Sequence, residues 1–266
     1  MWRLSHFCFG SDQWRPRDLV GQWADLPDTT QREILAVCNN SLLNCSPTPV
    51  PDGSTFPTVL LYESWCFSAV IRLVGDDFVL TDNAVRQWLP CFYLWWNDDW
   101  NAVVFACHRA SPEATEDVIV DAVRRELRSR TEGGSHAAGN FPNQFWSDRF
   151  ANEIRKLIQD EQYSEEGRAE LLRLLTKHIP KTALEELYAV IKRQSHGRLC
   201  TVALDGLFRL EPDSAWDWFE AEFERRGKAL FSDLRCFYSD HRPTDFEAAG
   251  WSLDRLVKLA RMLHQS

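Results

Sequence analysis

Three sets of residues in this chain have the types and spacing that could do chemistry. The first is the adjacent pair Cys107-His108. A structural zinc site needs ligands that converge on one tetrahedral ion, which Cys-x-x-Cys or His-x-x-x-His spacing achieves. Neighbours on a helix diverge by about 100°, and no Cys-x-x-Cys pair occurs anywhere in the chain. The pair is therefore read as a buried thiol beside a helix-end histidine, with no metal and no other cofactor expected.

The second set is Ser195-His196-Gly197 with the distant Cys236. A cysteine protease needs a thiolate beside a general base, and in caspase-like enzymes both sit at the ends of buried strands. The segment LEELYAVIKR ahead of His196 reads as helix, and Leu234-Arg235-Cys236-Phe237 lacks a glycine after the nucleophile. No G-x-S-x-G elbow is present either. The paired acids Asp76-Asp77, Asp98-Asp99 and Glu185-Glu186 are sequence neighbours, which splay into solvent at caps and turns rather than share a proton. No catalytic residue is assigned. A small enzyme with a site assembled from distant residues, such as a Cys-His protease using His196 and Cys236, is the alternative.

The third set is Trp95, Trp96, Asp98, Asp99 and Trp100. Converging rings beside acids could cage a cationic group. However, Trp88, Phe92, Trp95 and Trp96 fall at helical spacing, with Pro90 able to open a second helix and Asn97-Asp98-Asp99 serving as turn and cap. Packing between helices is the first reading, an exposed aromatic surface for a protein partner the second, and a metal site the last. These five residues are the candidate partner-binding set.

The elements that must position these groups are helices. Apolar residues recur at three- and four-residue spacing in ILAVCNNSLL, where Thr30 and Glu33 form a capping box. The same period runs through TVLLYESWCFSAVIRLV, TDNAVRQWL, WNAVVFACHRA and SPEATEDVIVDAVRREL, and again in every apolar segment after Asn143. Strand and hairpin signals are nearly absent. The expected fold class is all-α: a helical-repeat (HEAT/armadillo-like) α-solenoid or an irregular helical bundle.

A repeat supports the solenoid. IPKTALEEL, from Ile179, matches EPDSAWDWF, from Glu211, in residue type at nearly every position, with the prolines 32 residues apart; Gly167-Arg168 and Gly197-Arg198 precede them at an offset of 30. A looser copy begins at Ser111-Pro112. Each unit would be a helix, a proline-fixed corner and a second helix, which buries its apolar face on the next pair.

Charge separates the two halves. Residues 1–133 hold eleven Arg, no Lys and eighteen acidic residues; the remainder holds nineteen basic and twenty-one acidic residues, within a total of -9. Nucleic acid is thus not expected as the main partner, because phosphate binding needs clustered Lys and Arg. Arg124–Arg130 is expected to end a helix instead. The apolar run at Phe7–Phe9 is too short for a secretory leader, no run is long enough for a membrane helix, and the eight cysteines form no dense disulfide pattern. A cytoplasmic protein is expected, with no membrane association.

The glycine-containing segment TEGGSHAAGNFPN reads as an exposed linker. It divides the chain into an acidic, Trp-rich helical region (1–130), a linker (131–142) and a helical-repeat region (143–266). Within the last, GRLCTVALDGLFRLEPDSAWDWFEAEF and the terminal WSLDRLVKLARMLHQS resemble the helical-repeat regions that follow the NTPase module in bacterial NACHT or STAND proteins. That resemblance implies a sensor or scaffold in defence or signalling. The NTPase itself is absent, since no G-x-x-x-x-G-K-[ST] occurs and Gly227-Lys228 stands alone. The expected function is non-enzymatic binding of another protein, favoured where that partner offers a basic surface. Replacing Cys236 or His196 with Ala should leave cellular activity intact. Loss of activity in both variants at unchanged melting temperature would establish the protease instead.

Overall fold

The computed structural model describes residues 23–44, 46–47, 67, 70–71, 80–93, 100–129, 136–194, 196–230 and 252–265. The fold is all-α: among the described residues there are eleven α-helices, one 3-10 turn at Asn143–Phe145, and no strand. In chain order the helices are α1 (Asp28–Asn44), α2 (Asp82–Tyr93), α3 (Trp100–Ala110), α4 (Pro112–Ser129), α5 (His136–Gly139), α6 (Asp148–Gln159), α7 (Glu165–His178), α8 (Pro180–Arg193), α9 (Gly197–Leu210), α10 (Pro212–Arg226) and α11 (Leu253–Gln265). The chain divides into two compact units, Met1–Ala122 and Val123–Ser266.

In the first unit α2 packs on α3, and α1 on α2. Thr81 caps α2 by accepting from the Ala84 amide at 3.2 Å. Trp88 is fully buried and stacks on Phe67 with ring centres 6.0 Å apart, so this tryptophan is a core residue. Two expectations are corrected. Pro90 does not open a new helix but lies inside α2; the lost backbone bond falls one turn from the helix end, and the buried Val85, Trp88 and Leu89 hold the helix in place. Thr30 is not a cap, because α1 already begins at Asp28. The Gln31 side-chain amide, which donates to the Trp23 and Leu26 carbonyls at 2.8 and 3.1 Å, ties the first turn to the preceding chain.

The second unit is a stack of helix pairs with a fixed period. The residues preceding α6, α8 and α10 are Ser147, Ile179 and Glu211, each 32 positions after the last, and those preceding α7 and α9 are Ser164 and His196, again 32 apart. The expected offset of 30 between Gly167 and Gly197 does not hold: Gly197 opens α9 and matches Glu165, whereas Gly167 sits a turn-fraction later in α7. α7 lies chiefly against α9, α8 bridges the two, and α6 and α10 pack on α7 and α9 respectively.

The turns from α7 to α8 and from α9 to α10 consist of one residue. Ile179 ends α7, its amide donating to Leu175 O at 2.8 Å, and begins α8, its carbonyl accepting from Ala183 N at 2.9 Å. Glu211 does the same between Leu207 and Ala215, and Ser111 between Cys107 and Thr115. A following proline forces its predecessor out of the helical region, and Ile179 and Glu211 accordingly take nearly identical angles, φ -131 and -139 with ψ 70 in both. Four residues before each corner stand Cys107, Leu175 and Leu207; four after stand Thr115, Ala183 and Ala215; eight after stand Ile119, Leu187 and Phe219. All nine are completely buried. The small residue at the second position lets the two helices approach at the bend.

Two glycines set the closeness of α9. A methyl on Gly206 would lie 2.9 and 3.1 Å from the Leu187 methyls and 3.4 Å from a Thr176 methyl, with Leu187 itself fully buried. Gly197 has φ +91, and a Cβ there would collide with the Glu165 carboxylate.

The segment expected to be an exposed linker is corrected over part of its length. Ala137 and Ala138, in α5, and Phe141 are buried. Glu126 of α4 accepts from the Ala137 amide at 3.1 Å, and Phe141 meets Phe150 with ring centres 4.7 Å apart. Small residues there are packed closely rather than left in solvent.

Gly206→Ala should lower stability by about 1–3 kcal/mol through overpacking, and Gly197→Ala by at least about 1–2 kcal/mol through its positive φ, measured as shifts of the urea midpoint. Gly139→Ala, with nothing within 4 Å of the added methyl, is the control and should not be destabilised.

Candidate functional site

Two thiols are described, and neither has the setting of a nucleophile. Cys107 in α3 is fully buried, and desolvation drives its pKa far upward. Its neighbour His108 is half-buried, with its pKa lowered by desolvation and partly restored by Glu116. Cys200 in α9 is buried and pushed up to about 12, again mainly by desolvation. A reactive cysteine needs its thiolate, so raised values make both inert. His196 is exposed at the start of α9 and makes no side-chain cap, and Cys236 lies outside the described residues. Among the described residues no group of three or more His, Cys, Asp or Glu could hold a metal ion. Trp95, Trp96, Asp98 and Asp99 also lie outside the described residues, and Trp100 is described only as the first backbone position of α3.

The charged site that sequence reasoning missed is Glu186. Expected to splay into solvent beside Glu185, it is completely buried, while Glu185 is exposed. One carboxylate oxygen accepts from Gln159 Nε2 at 2.6 Å and the other from Arg193 Nη2 at 2.9 Å. Arg155 pairs with Glu185 at 3.2 Å and stands 3.6 Å from Glu186 through Nε, within ion-pair range but too far for a hydrogen bond. A signal is present in the sequence: Ala183, Glu186, Leu187 and Val190 lie on one helical stripe whose other members are apolar. The cluster fastens α6 to α8. Removing a partner from such a buried charge costs about 3–5 kcal/mol, so it belongs to the architecture.

A second carboxylate acts across helices. The start of α9 lacks a side-chain cap of its own, and Glu165 from the first turn of α7 supplies one by accepting from Leu199 N at 2.9 Å, with Gln194 Nε2 at 3.3 Å on the same oxygen. Four orphan amides at a helix start attract an anion. Glu165 occupies that position and leaves no open anion site there.

The surfaces are of two kinds. Along α7 and α9 two surface arginines are paired within their own helices: Arg173 binds Glu170 in a fork at 2.8 Å and 2.5 Å, and Arg209 binds Asp205 at 3.1 Å. The face of α11 is different. Its Arg255 pairs with Asp213 and lies over the Trp216 ring at 5.7 Å, and Lys258 stands 2.5 Å from Glu220, close in charge though not aligned as a hydrogen bond. These contacts turn toward α10 the helical face that carries Arg255, on which the half-buried Leu259 and Met262 also lie. The opposite stripe, Leu253, Leu256 and Val257, is exposed, with Ala260 one turn on and exposed as well. On α10, one position round the helix from the face that carries Asp213, Trp216 and Glu220, the acids Asp217 and Glu224 are exposed. The first unit shows isolated exposed apolar residues, Val37 and Phe105, but no such stripe among its described residues.

No protein-family model matches the chain, and no curated protein or solved structure matches it either. In the native protein, peptide-mapped alkylation should leave Cys107 and Cys200 unmodified at pH 8, with modification appearing only in denaturant. Rapid native labelling of either would contradict its burial.

Proposed function

We propose that this chain is a non-enzymatic helical-repeat protein that binds another protein, as a scaffold, sensor or regulator in a bacterial defence or signalling system. The observation that carries the reading is α11. Arg255 and Lys258 pair with α10 and the half-buried Leu259 and Met262 share the Arg255 face, yet a further apolar stripe of Leu253, Leu256 and Val257 is left exposed, more apolar surface than the contact with α10 covers. Contiguous exposed apolar surface rimmed by polar residues marks interaction sites, and large side chains at the centre of such a surface supply most of the binding energy.

The partner fits this edge with an apolar anchor bordered by basic groups, because Asp217 and Glu224 are exposed on the helix that α11 rests against and the whole chain carries -9. Opposite charge steers encounter and fixes orientation more than it adds affinity. Within the same proposal Trp95, Trp96, Asp98, Asp99 and Trp100 form a second contact region in the acidic half. A HEAT- or armadillo-like repeat class and the sensor-like role rest on the 32-residue helix-pair period and on the resemblance of residues 197–223 and 251–266 to NACHT or STAND sensor regions. Among the described residues no helix is long and apolar enough to cross a membrane; a cytoplasmic location is part of the proposal, supported by the scattered cysteines.

The test is co-purification from the native host with wild type and with the double variant Leu256→Glu/Val257→Glu. Both positions are exposed, so the melting temperature should change little, while the partner should be lost. Retention of the partner by a folded double variant would remove α11 as the docking edge. Association of the wild type should also slow with added salt, as the screening length falls below about 8 Å.

A further inference from the structure

The last residue of α7 is His178, and its ring stacks on Trp146 with centres 4.5 Å apart and planes 20° apart. Trp146 is nearly buried; it meets Phe150 edge-on at 4.9 Å and donates its indole N–H to the Phe141 carbonyl at 3.4 Å. The segment 141–147 is thereby pressed on α6 and the end of α7 by one aromatic cluster, in which His178 is the only titratable ring among the described residues. Nε2 of His178 is buried and has no hydrogen-bond partner among the described residues. A neutral imidazole can leave that nitrogen as a bare acceptor at modest cost. The imidazolium carries N–H groups on both nitrogens, and a buried charged donor without an acceptor is expensive.

We infer that His178 and Trp146 form an acid-sensitive latch: protonation of His178 releases the segment 141–147 from the end of α7 and exposes Phe141, Trp146 and Phe150 while the helix stack persists. Two effects oppose this, since a cation is favoured both over an indole face and at a helix C-terminus. Burial of the ring and the unpartnered Nε2 act against them. The His178 pKa lies below its ordinary value of 6.5, first because of desolvation and then because of Lys177 and Arg173 on the same helix. The other charged groups around this end are Asp148 and Arg149 at the start of α6, Lys181 at the start of α8, and Arg209 and Asp205 of α9. The first three are exposed and the last two are paired with each other; the side chain of His136 in α5 lies outside the described residues.

The direction follows from linkage. The released state binds the proton more tightly, so the latch is fully closed above about pH 6.5, loosens as pH falls from 6.5 toward the lowered folded pKa, and changes no further below it. Within that window the opening constant rises by up to about tenfold per pH unit.

The experiment is hydrogen exchange of the full chain from pH 7.5 to 4.5, corrected for intrinsic rates and read on peptides covering 141–150 and, as reference, 199–208. The wild type should lose protection in 141–150 below pH 6.5 with 199–208 still protected. His178→Leu, the residue at the matching repeat position 210, should remove the pH dependence. A pH-independent 141–150 in the wild type, or the same pH response in the variant, would overturn the latch. Should the variant fail to fold, the proton NMR titration of His178 in the wild type decides: a midpoint at or above 6.5 sinks the proposal, and a midpoint below it with a matching loss of protection sustains it.

Discussion

The approach of α9 to its neighbours is the constraint on which the second unit depends. This helix touches α7, α8 and α10, and it can come so close only because Gly206 has no side chain where Leu187 and Thr176 press in. Its first turn would carry unsatisfied amides, since His196 provides no cap, and the carboxylate of Glu165 satisfies one of them from α7. That contact leaves no room for a side chain at Gly197. Sequence, backbone and packing are therefore locked together: the capping residue of one helix sits in the preceding pair, so α9 is complete only when α7 is in place. One-residue proline corners then leave α8 and α10 little freedom in how they return, which reduces the conformational entropy that ordering each pair must overcome.

Charge is used in two different ways in this unit. Glu186 is sealed from water and satisfied by Gln159 and Arg193, a specific arrangement that tolerates no missing member. α11, by contrast, is held to α10 by exposed or half-exposed pairs involving Asp213 and Glu220. Pairs of that kind contribute about 0–1 kcal/mol each and weaken with salt, so α11 is tethered far less firmly than α9 is packed. A helix so held could adjust its exposed stripe of Leu253, Leu256 and Val257 to the proposed partner at little cost to the stack behind it.

Helix positions are legible in the sequence because capping and periodicity agree locally. Ser147 and Ser164 cap α6 and α7 through their hydroxyls, proline opens α8 and α10, and the apolar period between these marks is unbroken. The 32-residue spacing of the prolines is visible for the same reason. Information held between helices is not legible in this way. The stripe of Ala183, Leu187 and Val190 points Glu186 inward, but that its charge is tolerated there follows only from Gln159 and Arg193 meeting it. Pairing Gly197 with Gly167 rests on letter alone, whereas its real counterpart is Glu165, and its glycine is required by that same residue across the helix pair. Ala137 and Ala138 resemble linker because small residues report little about burial by themselves. Of the candidate site, the burial of Cys107 is readable from its place on the apolar stripe with Val103 and Val104, while the exposure of Leu253, Leu256 and Val257 on α11 is not: an amphipathic pattern gives a helix two faces without saying which one meets the protein.

In a stack of helix pairs each element is supported mainly by its immediate neighbours. Free energy of opening is accordingly uneven, greatest in the middle and least at the ends. The middle consists of α7, α8 and α9, with nearly every inward residue fully buried. One end is closed by the Phe141–Trp146 segment resting on a histidine with an unsatisfied nitrogen, the other by α11 resting on ion pairs. Both ends keep aromatic or aliphatic surface under or on elements that are weakly held, and both respond to solution conditions, one to pH and the other to salt. Because neither end shares a cap or a corner with the middle, either can change without melting α9. A protein built this way can expose apolar surface at either end while its middle remains folded, which is what the proposed sensing or scaffolding role would require.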